Sequence, residues 1–172
     1  MKTTNLLPFV LPLAFAAALP AQANDYIAMK LNSGTASAPP TLSCGLPFTC
    51  TPASFTVPQG APVDMIILAQ QNGLFALAAS FDVANMVCVP LGIPGLANSL
   101  ALNPGNILTV LIGVCAQTDN GRCNGGTTGV VRLFTVPVGI PPGAIAFQAV
   151  GASPLSTGGN GLALSNPVVM NF

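Results

Sequence analysis

Residues 107–114 read Ile-Leu-Thr-Val-Leu-Ile-Gly-Val, an uncharged run in which Leu108, Val110, Ile112 and Val114 share one parity while Thr109 and Gly113 share the other. Side chains alternate between the two faces of a strand, so this pattern predicts a β-strand with one apolar face buried. The signature recurs along the chain. Runs at 54–57, 65–68, 74–81, 86–89, 130–136, 145–150 and 168–172 are short, apolar and bounded by Gly, Pro or Asn, as strands are. Only the window 74–84 is rich enough in Ala and Leu to suit a short helix as well as a strand. Pro137, Pro141 and Pro142 force extended or turning backbone between two runs. The pattern implies an all-β fold, a single antiparallel β-sandwich of Ig-like or Greek-key type.

Before that domain lies a different kind of segment. Lys2 supplies a positive start, residues 6–19 an apolar core, and Ala21-Gln22-Ala23 a small-x-small cleavage site, which together read as a cleaved signal peptide over 1–23. The apolar core is shorter than the roughly 20 residues of a spanning helix. Residues 24–43, with the Ser/Pro-rich stretch 32–40, read as a flexible lead-in, and 44–172 as the sandwich domain. The expected location is outside the cytoplasm, periplasmic or extracellular.

Composition then removes whole classes of function. Of 172 residues 51% are hydrophobic but only 5% are charged, and there is no His. An ordinary domain gives about a quarter of its residues to charge. Four Lys or Arg, scattered at positions 2, 30, 122 and 132, cannot form a nucleic-acid footprint. Without an imidazole there is no Ser-His-Asp or Cys-His catalyst and no His-ligated metal. No cofactor motif stands out either: the glycines near 125 and 158 are followed by no Lys and open no helix.

Five cysteines occur, Cys44, Cys50, Cys88, Cys115 and Cys123. Export favours oxidation, and the odd number leaves one thiol or one intermolecular bridge. Cys115 and Cys123 flank Asp119-Asn120-Gly121, a tight-turn sequence, so a bridge at the base of a hairpin is expected there. Cys44 and Cys50 can close a small loop, or one of them can reach Cys88. The spacings suit no metal site.

Few residues suggest chemistry. Asp64 and Asp82 sit at strand ends, and as a facing pair they would be the only carboxylates arranged for hydrolysis; solvated turn aspartates are the plainer reading. Asp119-Asn120 offers one carboxylate, too few for a good Ca²⁺ site. Phe48, Phe55, Phe75, Phe81, Phe134 and Phe147 lie in or beside strands, so core packing is expected of them. Only Tyr26 is left as a sugar-stacking platform.

Residues 136–150 (VPVGIPPGAIAFQAV), a Gly-rich loop, and then 161–169 (GLALSNPVV) form an ordered series. It resembles the closing segment of uncharacterised secreted domains abundant in planctomycete-type bacteria, with a proline-rich link, a strand bearing an aromatic and a Gln, a Gly-rich loop, Leu-Ser-Asn and a final strand. Gln59-Gly-Ala-Pro62 and Cys88 also fit. The resemblance implies a compact β-sandwich and export, and no activity. It also implies a bridge from near the start of the mature chain to mid-chain, Cys44–Cys88 or Cys50–Cys88. Cys115 and Cys123 are a departure from it.

The functional expectation is a non-enzymatic secreted structural or interaction module of the cell surface or matrix, associating with itself or another surface component. A neutral-ligand module, for carbohydrate or apolar molecules, is the first alternative; an Asp64/Asp82 hydrolase is the second. No nucleic acid and no membrane span in the mature protein are expected.

Overall fold

A computed structural model of the chain describes residues 27–34, 36–37, 48–94, 96–118, 126–153 and 161–172. The signal-peptide reading of 1–23 lies outside them. In the first half the chain forms β1 (Ala28–Ser33), β2 (Ala36–Ser37), β3 (Ala53–Thr56), β4 (Pro62–Ala69), β5 (Leu74–Ser80) and β6 (Leu96–Ala97). Then follow β7 (Leu108–Val114), β8 (Gln117–Thr118), β9 (Gly126–Thr127), β10 (Val131–Thr135), β11 (Ala144–Ala152), β12 (Leu162–Leu164) and β13 (Val168–Asn171). Single 3₁₀ turns occur at Val83–Asn85 and Pro104–Asn106. Among the described residues no helix is long and apolar enough to cross a membrane.

Two sheets pack face to face. In the first, β4 pairs with β1 on one edge and with β10 and β9 on the other; β2 lies beyond β1 and β8 beyond β9. In the second, β11 pairs with β5 on one edge and with β13 and β12 on the other; β7 lies beyond β5. The sandwich is mostly antiparallel, with two parallel pairs, β3–β13 and β6–β12. In each pair the partners are far apart in sequence and meet by a crossover, which permits the parallel sense.

Alternation selects the inner faces. Val63, Met65 and Ile67 of β4 and Met29 and Leu31 of β1 meet Phe75, Leu77, Phe147 and Met170 from the second sheet, all buried. Each large apolar side chain fully withdrawn from water contributes about 1.5–3 kcal/mol. β1 corrects the flexible lead-in: part of that stretch is a core strand. Ala28, Met29 and Leu31 carry enough apolar surface to join the sheet, although the surrounding composition is that of a linker.

The second sheet is also covered from outside, in part. Residues 82–106 leave β5, cross the outer face and return to β7. Leu100 and Leu102 pack there on Ala146, Leu164 and Val169. Gln148 of β11, itself buried, pins this roof: its Oε1 accepts from the Ala101 N–H at 2.9 Å, and its Nε2 donates to the Ser99 and Ser165 carbonyls at 3.0 and 2.9 Å. Two strand expectations change here. Window 74–84 is strand followed by a 3₁₀ turn, with no α-helix, because β5 is central, paired on both edges, and its small Ala78 lets the roof approach. Residues 86–89 belong to the roof, touching strand geometry only through a Val89–Leu100 bridge.

The opening run produced the largest reversal. β7 forms, but Leu108, Val110, Ile112 and Val114 are all exposed. The inner face takes the opposite parity: Leu111 lies opposite Leu77, and Gly113 lies under the Phe75 ring. A bulge at Val110 then flips the register, so that Leu108 faces the inner side opposite Ala79 while Ile112 and Val114 face outward opposite Ala76 and Leu74. β7 ends the sheet among the described residues, and the roof leaves its Ile112 and Val114 uncovered.

Candidate functional site

Phe81 and Asp82 follow β5 directly at one mouth of the sandwich. Asp82 is gathered in by amides from both ends of the roof. Asn85 Nδ2 donates to both carboxylate oxygens at 2.8 and 3.0 Å, Asn103 Nδ2 to Oδ2 at 2.6 Å, and Asn106 Nδ2 to Oδ2 at 3.3 Å. The two 3₁₀ turns set this geometry. Asn85 ends the first, while Asn103 caps the second by accepting the Gly105 N–H at 3.0 Å, which brings Asn106 round. The Asn85 hydrogen bonds, with those of Asn103 and Asn106, hold the Asp82 carboxyl below its ordinary value of 3.8. It is therefore a fixed anion at neutral pH with a well-ordered amide frame.

Two cavities meet at Phe81. One, of about 570 Å³, is lined by Phe81, Asp82, Gly105, Asn106, Ile107 and Leu108. The other, of about 310 Å³, opens between the sheets and is lined wholly by apolar residues, among them Phe81, Phe134, Val136, Ile140, Ile145 and Phe172. Phe81 is 64% exposed. Core packing was expected of it, but it lies one residue beyond the last paired position of β5, where neither sheet covers the ring. Of the other five phenylalanines, Phe55, Phe75 and Phe147 are buried; Phe48 and Phe134 are half-buried.

The other acidic candidate is elsewhere. Asp64 lies on the outer face of the first sheet, and Arg132 of neighbouring β10 donates to it through Nε, and through Nη2 at 3.5 Å. The packed core separates it from Asp82, so the facing carboxylate pair needed for hydrolysis is not assembled. Asp119, Asn120 and Tyr26 lie outside the described residues.

Of the cysteines, Cys50 and Cys88 are bridged, with Cα atoms 5.6 Å apart. The bond ties the roof to the approach to β3 and excludes the alternatives Cys44–Cys50 and Cys44–Cys88. Such a bond is compatible with an oxidising compartment. The antiparallel β8–β9 pair forms where the hairpin is expected, but the bridge from Cys115 is corrected. Cys115 is a free, buried thiol, its Sγ 3.8 Å from the Ile67 carbonyl, and burial raises its pKa from 9.0 to about 11. Its side chain turns into the core at the end of β7, beside the base of the β8–β9 hairpin; Cys44 and Cys123 lie outside the described residues.

A second feature is the uncovered half of the outer face. Leu74 (66% exposed), Ile112 (68%) and Val114 (45%) stand together on β5 and β7, with Val110 at the bulge beside them. No charged residue occurs between Asp82 and Asp119. Sequence reading identified Asp82 and these apolar residues but missed Asn85, Asn103 and Asn106, whose separation along the chain hides their convergence. Compared with known proteins, the chain matches no family model, no curated protein and no solved structure.

Proposed function

We propose that the chain is a secreted, non-enzymatic interaction module of the cell surface or matrix, and that it self-associates through β7 and the uncovered face beside it. The carrying observation is the row Leu74, Ile112 and Val114, apolar and solvent-facing on the uncharged edge strand β7 and the neighbouring end of β5. Natural edge strands are usually guarded by Lys, Pro or inward charge, and monomers seldom expose such patches without a partner. A second copy brings the same neutral, apolar surface, so a two-fold contact is self-complementary. Sedimentation velocity tests this: the protein should form dimers or larger species largely insensitive to salt, and Ile112→Lys should return it to monomer. A wild-type protein that stays monomeric at high concentration contradicts the reading.

A second reading has its own support. The mouth of the sandwich holds an exposed aromatic ring, convergent amides and an apolar cavity, the usual makings of a small-ligand site. It favours a neutral-ligand module, and the two roles are compatible because the surfaces differ. Titrating the protein with neutral ligands while following Phe81 and Asn106 by NMR tests it; no shift at either residue would reject it.

A further inference from the structure

We infer that the sandwich mouth binds a neutral amphiphile, a polyhydroxylated headgroup on a hydrocarbon chain, with the chain in the slot between the sheets and the headgroup beside Asp82. This rests on the neutral-ligand reading and names its ligand class.

The argument starts from the contrast between the two cavities. The slot is lined by hydrocarbon alone. Its 310 Å³ accommodates about ten methylene-sized groups at roughly 30 Å³ each, the share of one water in the liquid. A sugar ring there would lose its water hydrogen bonds without replacement, so the slot selects an alkyl chain. Across Phe81 the surroundings change completely. Among the described side chains, Asp82 Oδ2 takes three amide hydrogens and Oδ1 takes one. Asn106 is exposed at the same wall. These groups ask for hydroxyl donors. An anionic headgroup would be repelled by the carboxylate. A quaternary ammonium would find one aromatic face instead of a cage and has no O–H or N–H to give Oδ1.

Phe81 links the halves, since its ring lines both cavities. One side of the ring can carry the first methylenes and the other the apolar face of a sugar. The cavity walls Ile107 and Leu108 extend the apolar floor. Leu108 is available there because the β7 bulge turns it to the inner side of the sheet.

The test compares four probes below their micelle concentrations: n-octyl β-D-glucoside, octanoate, octyltrimethylammonium and maltohexaose, with binding followed by calorimetry and NMR. Octyl glucoside should bind best and shift Phe81, Ile140 and Phe172. Phe81→Ala should weaken it about tenfold, the scale of one lost aromatic contact, and Ile140→Trp should do the same by filling the slot. Leu74→Gln, on the uncovered face, should leave binding unchanged and so separates the slot from general detergent adsorption. Equal or better binding of octanoate or octyltrimethylammonium overturns the headgroup assignment. Binding of maltohexaose with no gain from the octyl chain overturns the amphiphile but keeps the neutral-ligand reading. If none of the probes moves these residues, both fall.

Discussion

Gln148 holds Ala101: the side-chain oxygen of a residue buried in the second sheet accepts the backbone N–H of the roof at 2.9 Å. The same side chain donates to Ser99 and Ser165, so one amide joins the roof, β11 and the segment entering β13. A buried polar group with all its partners fixes a unique arrangement, and one left unpaired costs its full desolvation.

Gln148→Ala should therefore destabilise the protein by about 2–4 kcal/mol, since it orphans the Ala101 N–H and two carbonyls. Urea unfolding measures the loss. Hydrogen exchange should show residues 99–102 opening first; uniform loss of protection would argue against this role.

Opening the Cys50–Cys88 bond should cost about 4 kcal/mol by chain entropy for a separation of 38 residues. The double variant Cys50→Ser/Cys88→Ser should lose this much in denaturant unfolding. Non-reducing peptide mapping should recover Cys50 and Cys88 in one linked fragment.

Cys115 should resist alkylation in the native protein at pH 8 and react on unfolding. Its folded pKa, about 11, exceeds the unfolded 9.0, so the folded state retains a proton that the unfolded state gives up. Stability from this thiol is complete below pH 9 and falls as pH rises toward 11. Cys115→Ala should flatten that alkaline decline; an unchanged pH profile would assign it to other groups.

Asp82 behaves in the opposite sense. Its pKa lies below 3.8 in the folded chain, so its contribution is present above that value and fades as pH falls through the lower folded midpoint. Carboxyl ¹³C NMR should give a midpoint below 3.8, rising toward normal in Asn85→Ala.

Gly113→Val should destabilise by about 1–3 kcal/mol. A Cβ there would sit 2.8 Å from Cε1 and 2.9 Å from Cζ of buried Phe75, leaving the ring no room to stay. Thermal unfolding of this variant beside Thr109→Val, at an exposed site, separates the steric effect from β-propensity.

The residues from 107 to 114 show what the sequence determined alone. Period-two patterning, β-branched residues and Gly/Pro punctuation are local properties, and they were enough to place β7 and most other strands and to require an all-β sandwich. Asp82 at a strand end and Cys50 or Cys88 as bridge partners were also legible. Which parity of β7 is buried was decided only by tertiary structure, because the answer depends on where the neighbouring sheet and the roof end and on a bulge that shifts register. The same holds for Met29 and Leu31, which become core only when β4 lies beside them, and for Phe81, left exposed where β5 outruns its cover. Asn85, Asn103 and Asn106 carry no local signal at all: their meeting at Asp82 is made by two 3₁₀ turns and a roof that brings distant chain together. Burial and convergence are properties of the assembled sheets, and a strand pattern fixes its faces without saying which one will find a partner.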